Sequence, residues 1–398
     1  MSAPELGDGR CRILFAYWGR RGLSRFVCDL AHEAQSRPGR RCWFSISRQN
    51  EIFEQFAFLQ DQLVSVDTFA SAGGAFMNMH KALALRSNFE LALKRLDIDV
   101  VINLMPHIWT PLVVPRIRAA GIRYITIIHD VAGHRGDPTR LIRGWNSRNI
   151  YESERVIALS QAVAAQLVSI KRVQPERLLT LFHPDLHVGQ ADATAQPRFD
   201  AEPFRLLFFG RIMPYKGLAL LVEAVEILAK EGIRIHLGVH GSGDLSSLRT
   251  RLDALGAEID NSWIPDTNVP ALFNRYHAVA LPHTDATQSG VAAVSLGTGL
   301  PAIANPVGGL VEQIIEGTTG IVATAVASRA FADAIKSLSL DRLLYKRLRR
   351  RIIETRPQRS MKVFVDKMID VAELVGGSGA PCKLERTGPI DIWETGAR

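Results

Sequence analysis

Cysteine is scarce in this chain: there are four in 398 residues (Cys11, Cys28, Cys42 and Cys382), with no C-x-x-C spacing among them. A disulfide framework or a zinc site needs closer or repeated cysteines, so the reading is reduced thiols in a cytosolic protein and no bound metal. Long apolar runs are missing too. No stretch reaches the roughly 18 residues that a spanning helix requires, and the opening MSAPELGDGR lacks the apolar run of a signal peptide. The expectation is a protein neither exported by a signal peptide nor anchored by a spanning helix. Aromatics make up 7% of the chain and do not interleave with its basic clusters, which leaves nucleic acid without a recognisable surface. No D-x-D stands at the end of an apolar strand, since Asp97-Ile98-Asp99 reads as a turn entering one, so no metal-bound diphosphate is expected.

What is present suits a globular protein large enough for two domain cores, with 47% hydrophobic and 22% charged residues. The net charge of +8 fits a phosphate-bearing ligand, an anionic membrane surface or nucleic acid, and charge alone does not choose among them. Short apolar runs alternate with helical stretches through the first half, predicting strands at 13–17, 42–47, 63–68, 100–104, 124–129, 156–159 and 178–182. Helices are expected at 24–34, 76–96 and 160–170, the last with Ser160 as N-cap. The Pro- and Gly-containing stretch 185–203 has no sustained period and reads as a linker. A second alternating series follows, with strands at 205–209, 234–239, 258–263, 278–282 and 301–304 and helices at 218–230 and 289–297. Residues 338–359 form a basic helical run and 360–374 a more apolar one. The expected domains are 1–184, 204–358, a C-terminal helix at 359–376 returning to the N-terminal domain, and a tail at 377–398.

Chemistry concentrates at two strand ends. Phe209-Gly210-Arg211 runs through a Pro-containing turn to Lys216-Gly217 and a helix. Backbone amides and the helix dipole favour an anion there, and a guanidinium fork with a compact ammonium suits a diphosphate. The other reading is two surface cations flanking a turn. The second segment, Leu281 to Val291, opens into a small-residue helix through Thr287-Gln288-Ser289-Gly290. The amides at Ser289 and Gly290 and the hydroxyls of Thr287 and Ser289 offer donors for the same phosphates. The alternative is an ordinary helix N-cap.

In this order, Phe209-Gly210-Arg211, Lys216-Gly217, Gly241-Ser242-Gly243-Asp244, Thr287-Gln288-Ser289-Gly290-Val291, Gly299-Leu300-Pro301 and Val307-Gly308-Gly309-Leu310-Val311-Glu312 resemble the donor-binding half of glycosyltransferase family 4. The resemblance covers most of 204–325. It implies a GT-B fold, an α/β architecture of two Rossmann-like domains facing each other across a cleft. It also implies a retaining hexosyltransferase that uses a nucleotide-diphosphate sugar as co-substrate, with no further cofactor. The sequence departs from the family at two glutamates usually placed before Gly-Leu-Pro, where Ala286 and Val294 stand instead. Asp285 reads either as the substitute on the sugar side or as a loop N-cap, and the ribose contact must come from elsewhere.

The resemblance also assigns weaker roles. His129, at the end of Ile127-Ile128, takes the place of a histidine beside the transferred sugar, with Asp130 available to orient it. Gly19 and Gly22, after the first strand, resemble the family's loop near the diphosphate; the loop lacks G-x-G-x-x-G, so nicotinamide and flavin are unsupported. The base is expected near Trp263 and Ile264. His107 and His134 receive no catalytic role, and Trp109 and Trp145 are either sugar platforms or packing residues. The mechanism implied has Arg211, Lys216 and the Ser289 and Gly290 amides stabilising the leaving diphosphate, with a phosphate oxygen as base. The rivals are a sugar-nucleotide epimerase and a non-catalytic nucleotide-sugar-binding protein. The expected setting is the cytoplasm, peripherally on the inner face of the membrane, in bacterial surface polysaccharide assembly with a glycan or lipid-linked acceptor.

Overall fold

The computed structural model describes residues 11–20, 22–37, 41–69, 79–131, 143–187, 199 and 203–376. They divide into two compact units: one runs to Ile127 and adds Trp145–Val156 and the chain from Ser360, and the other comprises Ile128–Gly144 and Ile157–Arg359.

The first sheet runs β3-β2-β1-β4-β5-β6-β7, with β1 at Ile13–Tyr17, β2 at Cys42–Ser47, β3 at Leu63–Val66, β4 at Val100–Asn103, β5 at Arg123–Ile128, β6 at Arg155–Ala158 and β7 at Leu178–Thr180. The pairings of β1 with β2 and β4, of β2 with β3 and of β4 with β5 are all parallel. Every residue of β1 is buried, as a parallel strand covered on both faces requires, and this is why ILFAY reads as an unbroken apolar run. Helix Ser24–Gln35 turns Phe26, Val27, Leu30, Ala31 and Ala34 inward at three- and four-residue spacing. The C-terminal helix Met361–Gly376 packs on it. Phe364 meets Phe26 edge-on at 5.6 Å, and Arg37 Nε donates to Asp366 at 2.8 Å.

The second sheet has the order β10-β9-β8-β11-β12-β13, with β8 at Phe204–Phe209, β9 at Ile235–His240, β10 at Glu258–Asp260, β11 at Ala278–Leu281, β12 at Ala302–Ala304 and β13 at Gly320–Val322. The chain walks outward from β8 to β10, then crosses back to β11 and walks outward to β13. The order therefore reverses between β8 and β11, where an open parallel sheet leaves a crevice at its carboxyl ends. Helix Leu218–Lys230 takes the expected bounds because left-handed glycines, Gly217 (φ +72°) and Gly232 (φ +76°), stand just outside it.

Several expected elements differ. The strand expected at 258–263 stops at Asp260, because its partner β9 ends at His240 and Gly241 turns away at φ +148°. Asn261 then spends its side chain on the Gly243 backbone, at 3.1 and 3.0 Å. The basic run from 338 is two helices, Ser328–Leu340 and Arg342–Thr355, broken at Asp341, whose carboxylate caps Leu344 N at 2.9 Å. The first three residues of the helix expected from Phe76 lie outside the described residues, and the helix is described over Met79–Arg95. Residues 157–187 belong with the second unit, tied there by Leu186 N to Ala293 O (3.1 Å) and by a buried pair of Arg359 with Asp185 (3.0 Å).

Candidate functional site

The site is built where the second sheet reverses its order. After β8, Gly210 (φ +103°) lets Arg211 leave the sheet into solvent. A Cβ on Gly241 would lie 1.9 Å from Gly210 O, so the ends of β8 and β9 touch backbone to backbone, a contact open only to glycine. Pro214–Lys216 forms a single 3-10 turn that closes at Gly217. A Cβ there would meet Pro282 O at 1.8 Å, and Thr284 N donates to Tyr215 O at 2.8 Å. The turn after β8 is thus strapped to the loop after β11. From the end of β12, fully buried Asn305 donates Nδ2 to Pro282 O (3.0 Å) and His283 O (3.1 Å). These constraints place Lys216 Nζ 2.7 Å from His283 Nε2, directly across the reversal point.

The pair has definite electrostatics. Burial, reinforced by the Arg211 charge, pushes the Lys216 pKa down from 10.5 to about 8. An ammonium only donates, so His283 Nε2 accepts and the neutral imidazole carries its proton on Nδ1. Nζ also lies 5.3 Å from the centre of the Tyr215 ring. Two cations at a strand end and a helix start can hold a dense anion such as a diphosphate.

The loop after β11 is held from both sides. Gly309 N donates to Ala286 O at 3.1 Å and Ser160 Oγ to Thr287 O at 3.0 Å. Ser289 N donates to Gln313 Oε1 at 2.7 Å, and Gln313 Nε2 returns a bond to Ser289 O at 3.2 Å. Ser289 Oγ accepts from Ala292 N as the N-cap of helix Gly290–Thr298. The Ser289 amide is thus spent on Gln313, while its hydroxyl, which accepts from Ala292 N, keeps its own O–H to donate; Thr287 is buried at 6% exposure. Gly290 is exposed at the first helical turn, and Gln288 reaches sideways to His129, with Nε2 2.6 Å from Nδ1.

With this geometry in view, the comparisons are specific. Residues 20–182 match the family model for Glycosyltransferase Family 4, and residues 190–359 match that for Glycosyl transferases group 1. The chain belongs to glycosyltransferase family 4. Its relatives include proteins named D-inositol 3-phosphate glycosyltransferase. The one from Arthrobacter sp. strain FB24 is 30% identical over 53% of this chain and 53% of its own length. The one from Mycobacteroides abscessus is 31% identical over 52% and 48%. The chain thus spans about half the length of the curated relatives it matches. Among solved structures, a glycosyltransferase from Rickettsia africae superposes with a TM-score of 0.68 at 15% identity, over 93% of this chain and all of that one. HepE of Anabaena, in complex with UDP and glucose, gives 0.68 at 16% identity over 91% and 99%. These likenesses show the GT-B fold, with its two Rossmann-like domains.

Within this family 4 member the remaining expected positions are placed as follows. Asp285 is exposed on the loop that carries His283. The two positions that usually hold the family's glutamates are buried, Ala286 at 3% and Val294 at 9%. Trp263 is 54% exposed beyond the end of β10, with Ile264 half-buried beside it. Gly19 and Gly22 (φ +73°) belong to the first unit, where Asn50 Nδ2 donates to Gly19 O at 3.0 Å and shapes that loop. Trp109 is a core residue at 2% exposure, packed on Phe69 at 5.2 Å, so the sugar-platform reading is withdrawn for it. Trp145 is 43% exposed and donates Nε1 to Ile108 O at 2.6 Å. Burial pushes the His107 pKa down to about 4, which keeps its ring neutral. His134 lies outside the described residues. No helix among the described residues is long and apolar enough to cross a membrane.

Sequence reasoning passed over three residues that build the site: His283, Asn305 and Gln313. His283 stood in the segment after the strand ending at Leu281, and Asn305 closed the motif that begins at Gly299; neither was given a role, and Gln313 carried no signal. The Glu312 carboxylate, quoted only as part of a motif, caps helix Gln161–Lys171 through Gln161 N (2.7 Å) and Ala162 N (3.0 Å), where the helix dipole favours negative charge.

Proposed function

We propose that this chain transfers a hexose from a nucleotide-diphosphate sugar to a glycan or lipid-linked glycan acceptor, retaining the anomeric configuration, in bacterial surface polysaccharide assembly. The observation that carries this reading is the Lys216–His283 contact of 2.7 Å across the sheet's reversal point, with Arg211 at the same strand end. In this reaction the anomeric C–O bond breaks and its electron pair goes to the diphosphate. Positive charge grows on the sugar while negative charge grows between the two cations, so their attraction is strongest in the transition state. The acceptor hydroxyl forms the new bond on the face that the diphosphate leaves, and its proton passes to a phosphate oxygen. Because two side-chain cations meet the diphosphate charge, we take the reaction to need no metal. The bound UDP and glucose of HepE and the names of the curated relatives support a nucleotide-sugar donor.

The test is a panel. UDP, GDP and ADP are compared for thermal stabilisation of the protein, and their glucose and mannose conjugates for sugar release or transfer. One nucleotide should stabilise selectively, by about 2.7 kcal/mol at a hundred times its Kd, and its sugar conjugate should turn over. Binding with no turnover of any conjugate would instead favour a non-catalytic nucleotide-sugar-binding protein.

We also propose peripheral contact with the anionic inner face of the membrane through helix Arg342–Thr355. Its outer face carries exposed Leu343 (78%), Ile353 (54%), Lys346, Arg347 and Arg350, with Glu354 paired to Arg350 and Arg351. Basic charge around apolar tips suits an anionic lipid surface. The protein should sediment with phosphatidylglycerol vesicles at low salt and release as salt rises. Equal recovery with neutral vesicles would remove the charge argument.

A further inference from the structure

We propose that Gln288 fixes the tautomer of His129 and adds its own amide oxygen as an acceptor for a hydroxyl of the transferred sugar. The proposal rests on the nucleotide-sugar reading above and names the part of the donor that this loop recognises. Gln288 Nε2 lies 2.6 Å from His129 Nδ1. An amide NH2 only donates, so Nδ1 is the acceptor and the neutral ring carries its proton on Nε2. Gln288 is therefore a positioning residue toward His129, holding the ring as an N–H donor rather than leaving it to exchange between tautomers.

Two further observations point to a ligand. The amide oxygen of Gln288, Oε1, is buried and has no hydrogen-bond partner. A buried acceptor left in that state is costly, and an incoming O–H relieves it. The backbone on either side is fixed: Thr287 O accepts from Ser160 Oγ, and Ser289 is bonded at both N and O to the Gln313 side chain. The direction of the Gln288 side chain is thus set before any ligand arrives. A neighbouring N–H donor and amide acceptor match a polyhydroxylated ring, whose hydroxyls both donate and accept. They do not match a phosphate, which only accepts. The same loop thereby divides its work: Lys216 and Arg211 meet the charge, and Gln288 with His129 meets the sugar.

The experiment uses the full chain and two independent readouts. Ring-nitrogen NMR of wild type, Gln288→Ala and Gln288→Glu reports the His129 tautomer without any ligand. Titrations of the same three proteins with UDP and with UDP-glucose separate nucleotide from sugar contacts. In the wild type we expect Nδ1 unprotonated and Nε2 protonated, a mixed population in Gln288→Ala, and protonation at Nδ1 in Gln288→Glu, whose carboxylate accepts. We expect Gln288→Ala to weaken UDP-glucose about tenfold and to leave UDP within about twofold. His129 nitrogen signals identical in wild type and both variants would overturn the positioning role. Equal loss of UDP and UDP-glucose, or loss of neither, would overturn the sugar contact. If the wild type bound neither compound, the donor reading with UDP would fall, and the ring nitrogens would still decide the pairing.

Discussion

Alanine at Lys216 is expected to lower transfer turnover by about 10²–10³-fold, the usual effect of removing one donor aimed at charge that grows in the transition state. The fold should survive, because Lys216 is half-buried at the edge of its turn and the strap between the two loops is made by Gly217, Thr284 N and Asn305. Far-ultraviolet circular dichroism and the urea midpoint check that part. The loss should fall mainly on kcat, since the diphosphate bears more charge as it leaves than in the bound donor. Arginine at 216 should not restore it, because a planar fork cannot replace a compact ammonium held 2.7 Å from His283 Nε2.

The same residue fixes a pH dependence. In the ligand-free protein the Lys216 pKa is lowered to about 8, and the ammonium is the form that attracts a diphosphate. Binding must raise that pKa, so nucleotide uptake brings a proton with it near this pH, and affinity falls as pH rises through about 8. In Lys216→Ala this decline should vanish. Calorimetry in two buffers of different ionisation enthalpy measures the proton directly, and no uptake in the wild type would contradict the assignment.

Removing the guanidinium of Arg359 should destabilise the protein by about 3–5 kcal/mol, because it strands a buried carboxylate. The pair is enclosed, with side-chain exposures of 7% for Arg359 and 1% for Asp185. Arg359 also donates to Ile352 O at 3.1 Å, and Asp185 N donates to Arg359 O at 2.9 Å. Burial pushes the Asp185 pKa up from 3.8 to about 6 despite the partner's charge. A folded-state value above the ordinary one means that the stability this group contributes is full below its ordinary pKa and is lost as pH rises through about 6. Without Arg359 the carboxyl should hold its proton to still higher pH. The Arg359→Ala penalty should therefore be smaller near about pH 5, where the carboxyl is protonated, than near about pH 8. Asp185→Asn should cost less than Arg359→Ala and should flatten the pH dependence between those limits. Equal penalties for Arg359→Ala at both pH values, measured by urea unfolding, would contradict this account.

The legible parts of the fold are those written in local pattern. ILFAY and CWFSIS are short apolar runs that became β1 and β2 with the expected bounds, and helix Leu218–Lys230 is punctuated by glycines at both ends. The strand Gly320–Val322 was not legible, because three residues carry no period and exist as a strand only by lying beside β12. Trp263 was read into a strand whose length is set by β9, not by its own sequence. At the site, Arg211 and Lys216 were legible as cations after a strand and before a helix. The partner of Lys216 was not, since His283 lies 67 residues away and reaches it only because Gly217 lacks a side chain. The partner of the Ser289 amide was not legible for the same reason, since Gln313 lies 24 residues on.

The central claim is that the crevice between β8 and β11 holds the diphosphate of a nucleotide sugar. A crystal structure of the chain grown with the nucleoside diphosphate that stabilises it most would test this directly. The account predicts a phosphate oxygen within about 3 Å of Lys216 Nζ, with the Arg211 guanidinium on the same phosphates. A nucleotide bound elsewhere, with Lys216 still engaged only with His283, would contradict it.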